Sequence, residues 1–152
     1  MTRKLGAISL AGIAAVAVTT APLADAAKPA TRTLTASGEL VRIAKPDARS
    51  SVQRGTVTGR PFGSGRMVLR SRLNRATVTS TFTLTTTAGI VRGRATARLT
   101  LDGDTATYRG SATITSGTRR YRGAKGSKIT FTGVGPVNAK RTKIRLSGRV
   151  RY

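Results

Sequence analysis

Four cations crowd one glycine-rich run, Gly117-Thr118-Arg119-Arg120-Tyr121-Arg122-Gly123-Ala124-Lys125-Gly126. Guanidinium and ammonium groups this close together can grip a phosphate or carboxylate, with help from backbone N–H groups in a glycine-rich turn. No Gly-Lys-Ser/Thr follows to open a helix, so the run is not a nucleotide P-loop. A purely structural reading also suffices: Gly117, Gly123 and Gly126 permit tight bends, while Tyr121 and Ala124 pack beneath the loop. A second cationic pattern repeats along the chain, in Arg92, Arg94 and Arg98, in Arg145, Arg149 and Arg151, and in Arg66, Arg70 and Arg72. If their segments were neighbours, these arginines would form a broad cationic wall. Aromatic platforms for stacking bases are missing from those faces, which favours a target recognised by its charge.

Other chemistry is sparse. The chain has no His and no Cys, so it lacks the usual general base, the thiol nucleophile and the soft metal ligands. No serine lies in a Gly-x-Ser-x-Gly elbow. Asp102 and Asp104 make a poor Ca²⁺ pair and suit a hairpin turn better. No metal and no cofactor is expected. Glu39, Tyr108 and Tyr121 are the candidates for a polar cavity mouth if the fold encloses a space; Glu39 suits a water-facing place beside an arginine equally well.

The elements that carry these residues read as strands. Apolar and polar residues alternate with period two in segments of about 8 to 12 residues, bounded by Gly, Pro, Asp and Asn, and helical periodicity is absent. In residues 76–86, Val78, Phe82 and Leu84 share one face, and Thr77, Thr79, Thr81, Thr83 and Thr85 the other. In residues 89–101 and 143–152 the apolar faces oppose the arginines, and residues 106–115 divide in the same way. Weaker candidates are 33–43, 51–59, 65–73 and 128–134, which brings the tally to about eight. Asp102-Gly103-Asp104 offers a positive-φ residue for a tight hairpin, and Leu73-Asn74-Arg75-Ala76 is short enough for another. The expected fold is all-β: an antiparallel closed barrel of about eight strands, with a β-sandwich as the alternative. An outer-membrane barrel is disfavoured, because six aromatics are too few for two girdles and the arginines would crowd a narrow lumen with hardly any acid to pair them. A flat ice-binding threonine face is disfavoured by curvature and by the flanking arginines.

The N-terminus reads as an export signal. Arg3 and Lys4 form a positive head, residues 5–18 carry no charge, and Ala24-Asp25-Ala26 is a small-x-small cleavage pattern. The apolar run, about 14 residues, is short of the roughly 20 that a membrane span needs. The expected organisation is a signal peptide over 1–26, a disordered lead over 27–31 and one barrel domain over 32–152, secreted, without a transmembrane span and without disulfides. Cleavage removes Arg3, Lys4 and Asp25, so the whole chain's +23 becomes +22 on a shorter chain. Self-repulsion at that density costs stability, and anionic partners relieve it.

The glycine-rich run and an earlier one, Gly59-Arg60-Pro61-Phe62-Gly63-Ser64-Gly65, resemble turns of the allene oxide cyclase and dirigent-like barrel superfamily. That superfamily carries a Gly-Thr-Gly-(Arg/Lys)-(Tyr/Phe)-x-Gly-Ala-x-Gly turn. Arg119 stands in place of its third residue, and would occupy a positive-φ position if the backbone were kept. The resemblance implies a barrel with a ligand cavity, which in the plant enzymes guides cyclisation or radical coupling. The inward faces here are Ala, Gly, Val, Leu and Ile, so no catalytic residue carries over. The expectation that follows is a secreted, basic, non-enzymatic barrel that associates with anionic envelope polymers or an anionic lipid surface through an Arg/Thr exterior. The alternative is a cyclase-like or dirigent-like barrel that holds a small apolar ligand.

Overall fold

A computed structural model describes residues 29–137 and 140–152. The expected signal peptide lies outside the described residues; the first strand already includes Thr31. The eight strands are β1 (Thr31–Asp47), β2 (Ser50–Arg60), β3 (Gly63–Asn74), β4 (Thr77–Thr86), β5 (Gly89–Asp102), β6 (Thr105–Gly117), β7 (Gly126–Pro136) and β8 (Arg141–Arg151). They pair antiparallel in chain order, and β8 returns to β1 from Thr31↔Arg151 to Val41↔Arg141, closing the barrel. Closure leaves no free edge, which matters where the described residues are almost all strand. The sandwich alternative is thereby excluded.

Alternation explains why each strand lies as it does. Along β5, Val91, Ala95 and Ala97 are buried while Arg92, Arg94 and Arg98 are exposed. Along β8, Ile144, Leu146 and Val150 point inward and Arg145, Arg149 and Arg151 outward. The period-two pleat puts a guanidinium one residue from the core without burying it. Leu34, Leu40, Met67, Val91, Ile129 and Val150 fill the interior almost without solvent contact. Truncating any one of these leucines or isoleucines to Ala costs about 2 to 5 kcal/mol.

The barrel is narrow enough that one inward position must stay empty. Phe82 on β4 pairs with Gly93 on β5. A Cβ at Gly93 would run into the Phe82 ring and the Thr113 carbonyl, so glycine there is what admits the ring. Tight hairpins join the strands, with Gly103 (φ 53°) and Arg75 (φ 55°) supplying the left-handed residues after β5 and β3. In the turn after β1, Asp47 accepts from the Arg49 N–H at 2.7 Å and from the Ser50 hydroxyl at 2.9 Å. The backbone bond from Arg49 is the chief reason its carboxyl is held below the usual carboxylate range.

Candidate functional site

The two ends of the barrel differ. At the end that carries the β2–β3, β4–β5 and β6–β7 connections, three aromatic rings plug the bore. Tyr121 meets Phe62 edge-on at 5.1 Å between centroids and Tyr152 edge-on at 5.3 Å, while Phe62 and Tyr152 stack at 6.0 Å. Tyr121 is 2% exposed, donates its hydroxyl to the Phe62 carbonyl at 3.2 Å and accepts from Thr86 at 3.3 Å. Arg32 lies 5.4 Å from the centre of the Tyr152 ring. Above this plug the apolar core holds a cavity of only about 10 Å³.

The opposite end is an open cup with a cavity of about 180 Å³. Its walls are aliphatic and aromatic: Leu69, Leu73, Val78, Leu99, Phe131 and Ile144. Its polar groups are Gln53, Ser71, Ser80, Tyr108 and Thr142, with Arg42, Lys45 and Arg49 at the mouth. Gln53 Nε2 donates to Thr142 Oγ1 at 3.1 Å, and the Ser71 and Ser80 hydroxyls share a hydrogen bond of 2.8 Å. Burial pushes the Tyr108 phenol above its ordinary pKa, and the positive charge of Arg42 opposes that shift. Among the described residues this lining joins aliphatic and aromatic walls to hydroxyl and amide groups, which equips the cup to hold a molecule by shape and hydrogen bonding. Among the described residues no group of three or more His, Cys, Asp and Glu is placed to hold a metal ion.

Of the three residues expected at a cavity mouth, Tyr108 lines the cup. Tyr121 is in the plug at the other end. Glu39 faces outward from β1 and meets Arg141 of β8 at 3.2 Å. The alternation also runs through Gln53, Ser71, Ser80 and Thr142, and following its parity through polar residues would have placed all four inside.

The cationic loop after β6 forms a single 3₁₀ turn over Arg119–Tyr121. Arg119 adopts φ 52°, the left-handed conformation that glycine normally takes. The loop's backbone offers little to an anion: the N–H groups of Thr118, Arg120, Tyr121, Arg122, Ala124 and Lys125 already donate to carbonyls. Lys125 Nζ is bound to the Thr115 carbonyl at 2.6 Å. Any grip here comes from side-chain charge, because the strand ends and the turn consume the amides.

On the barrel wall the arginine sets do not merge into one face. β3 and β5 flank β4, so Arg70 and Arg94 stand on either side of Thr81 in one cross-strand row. The β8 set lies on the far side of the barrel from β4. A second row connects β5 to β8: Arg98 pairs with Arg109, Arg109 with Thr132, and Thr132 with Arg145. Among the described residues, Arg141–Glu39 is the one ion pair. No helix among them is long and apolar enough to cross a membrane. No protein-family model matches the chain, and no curated protein matches it.

Proposed function

We propose that this is an exported, non-enzymatic barrel that associates with anionic polymers or anionic lipid surfaces of the cell envelope through its Arg/Thr exterior. The observation that carries the reading is the row in which Arg98 stands opposite Arg109, with no acid in the register around them. Placing like charges directly across a ladder costs stability, and a bound polyanion removes that cost. Arg92, Arg94, Arg145, Arg149 and Arg151 carry further cations around the wall on separate strands, and Arg119, Arg120, Arg122 and Lys125 add others on the loop; all are exposed. Export rests on the N-terminal pattern, and mature protein that begins at Ala27 is its test. Retention on immobilised anionic wall polymer, followed across a salt series, tests the binding. Release should steepen as salt rises, and retention indifferent to salt overturns the reading.

The cup favours a second reading, a small-molecule-binding barrel of the allene oxide cyclase and dirigent-like kind. The closed eight-stranded layout and the loop from Gly117 to Gly126 support that relationship. A molecule suited to the cup has a compact apolar body against Leu69, Leu99 and Phe131, and a polar end that reaches Gln53 or Tyr108. Titration with small amphipathic molecules should perturb the Tyr108 ring signals in NMR. If none does, this second reading is lost.

A further inference from the structure

We infer that the barrel binds its polyanion end-on, through the plugged pole, and that the partner is a linear polymer with closely spaced phosphates. This rests on the anionic-polymer reading above, moves the contact from the Arg98–Arg109 row, which lies nearer the open end, to the plugged pole, and adds an orientation and a chemical class.

Charge is distributed unevenly between the poles. Asp47, Asp102 and Asp104 all sit in turns or strand ends at the open end, and Glu39, midway along β1, is engaged by Arg141. The described residues contain no other acid. Among the described residues, the plugged pole therefore carries Arg60, Arg119, Arg120, Arg122, Arg149 and Arg151, all exposed, without an Asp or Glu side chain. Within strands the arginines recur at alternate residues, as at Arg149 and Arg151, about 7 Å apart along the chain. That spacing suits a polymer charged at nearly every repeat. Arginine is also the cation best matched to phosphate oxygens, because its planar fork donates in pairs.

The same asymmetry separates a polymer from a bilayer. A protein that docks on lipid ordinarily sinks exposed apolar side chains below the headgroups. The exposed large apolar residues among the described ones are Val41, Ile43, Leu101, Val134 and Val137, and all of them are at the open end. The cationic pole has none, and its aromatic rings are packed into the plug. The open end also carries cations, Lys45, Arg49, Arg72 and Arg75 among them, but there they are mixed with three aspartates and with the apolar side chains; the plugged pole offers cations alone and fits a hydrated chain of charges. Held by the plugged pole, the barrel keeps its cup facing away from the polymer.

The experiment compares two triple variants with equal loss of charge, binding inorganic polyphosphate at about 0.15 M ionic strength, where charges beyond about 8 Å are largely screened. R120Q/R122Q/R149Q removes charge from the plugged pole, and R72Q/R75N/K140Q removes it from the open end. These side chains are exposed, and the lysine triple R120K/R122K/R149K preserves charge as a check on folding. The pole triple should lose more than tenfold in affinity, and its dependence of log affinity on log salt should flatten by about 2 to 3. The open-end triple should stay within about threefold of the parent, and the lysine triple, which keeps the charge but loses the paired donation, should fall between the parent and the glutamine triple. Equal loss in the pole and open-end triples overturns the orientation and leaves the anionic-polymer reading standing. A lysine triple as weak as the glutamine one overturns recognition by charge at that pole. Preference for polyglutamate or for phosphatidylglycerol vesicles over polyphosphate overturns the phosphate class. A parent protein that binds none of the three probes overturns both this inference and the reading beneath it.

Discussion

Arg98 on β5 stands directly opposite Arg109 on β6 in the antiparallel register, and the next partner in the row, Thr132, offers no counter-charge. Directly paired like charges cost about 0.2 to 1 kcal/mol against a neutral pair. Replacing Arg109 with Thr should therefore stabilise the barrel by that amount, as read from the denaturant midpoint. Raising salt should stabilise the parent more than the variant, because screening relieves only the repulsion that is still there. A variant less stable than the parent at low salt would show that the pair is not repulsive.

The Phe82–Gly93 pair should tolerate no side chain at position 93. Gly93→Ala forces a methyl against both the Phe82 ring and the Thr113 carbonyl. Overpacking of this kind costs about 1 to 3 kcal/mol. Trimming the ring in a Phe82→Leu background should recover only part of the loss, since the backbone carbonyl does not move away. Equilibrium unfolding of the single and double variants measures both steps, and full recovery would show that the ring alone sets the limit.

At the plug, Tyr121→Phe keeps the edge-on ring contacts and removes the hydroxyl that bridges the Phe62 carbonyl and Thr86. The buried carbonyl is then left without that donor, at a cost of about 1 to 3 kcal/mol. Tyr121→Ala should cost more, about 3 to 5 kcal/mol, because the bore opens at that end. The gap between the two variants in thermal unfolding separates the hydrogen bond from the packing. Equal losses would mean that the ring contributes nothing beyond its hydroxyl.

Most of the barrel is legible in the alternation because both of its faces are chemically extreme: aliphatic residues inside, Arg and Thr outside. Even the weak segments at 33–43 and 128–134 fall within β1 and β7. The cup was not legible in the same way. Ser80 interrupts the apolar face between Val78 and Phe82, and Gln53 and Thr142 do likewise on β2 and β8; a hydropathy pattern treats them as noise, although parity points them inward. Only the register tells that Ser71 and Ser80 face each other, and only closure of the barrel through β1 brings together Gln53 and Thr142, far apart in sequence. Glu39 shows the converse: its identity fits a cavity mouth and a water-facing place beside an arginine equally, and its parity, opposite to that of Leu40, turns it to the surface, where Arg141 is the neighbour.

The cup also has a signature in alkaline titration. Burial raises the Tyr108 pKa and Arg42 lowers it, with burial the larger effect. A phenol whose pKa is raised by folding holds its proton more tightly in the native state than in the unfolded chain. The stability this contributes is therefore complete below the unfolded value near ~10 and is lost as pH climbs through the raised folded value. Arg42→Gln removes the opposing cation, so the Tyr108 ionisation should move further up, which tyrosine-selective ¹³C NMR resolves from the other rings. Tyr152, whose pKa is also raised by burial but is lowered by Arg32 at the opposite pole, serves as the internal reference and should not respond. A downward move of Tyr108 in the variant would mean that Arg42 is not directed at the phenol, and the mouth of the cup would then lack the cation assigned to it.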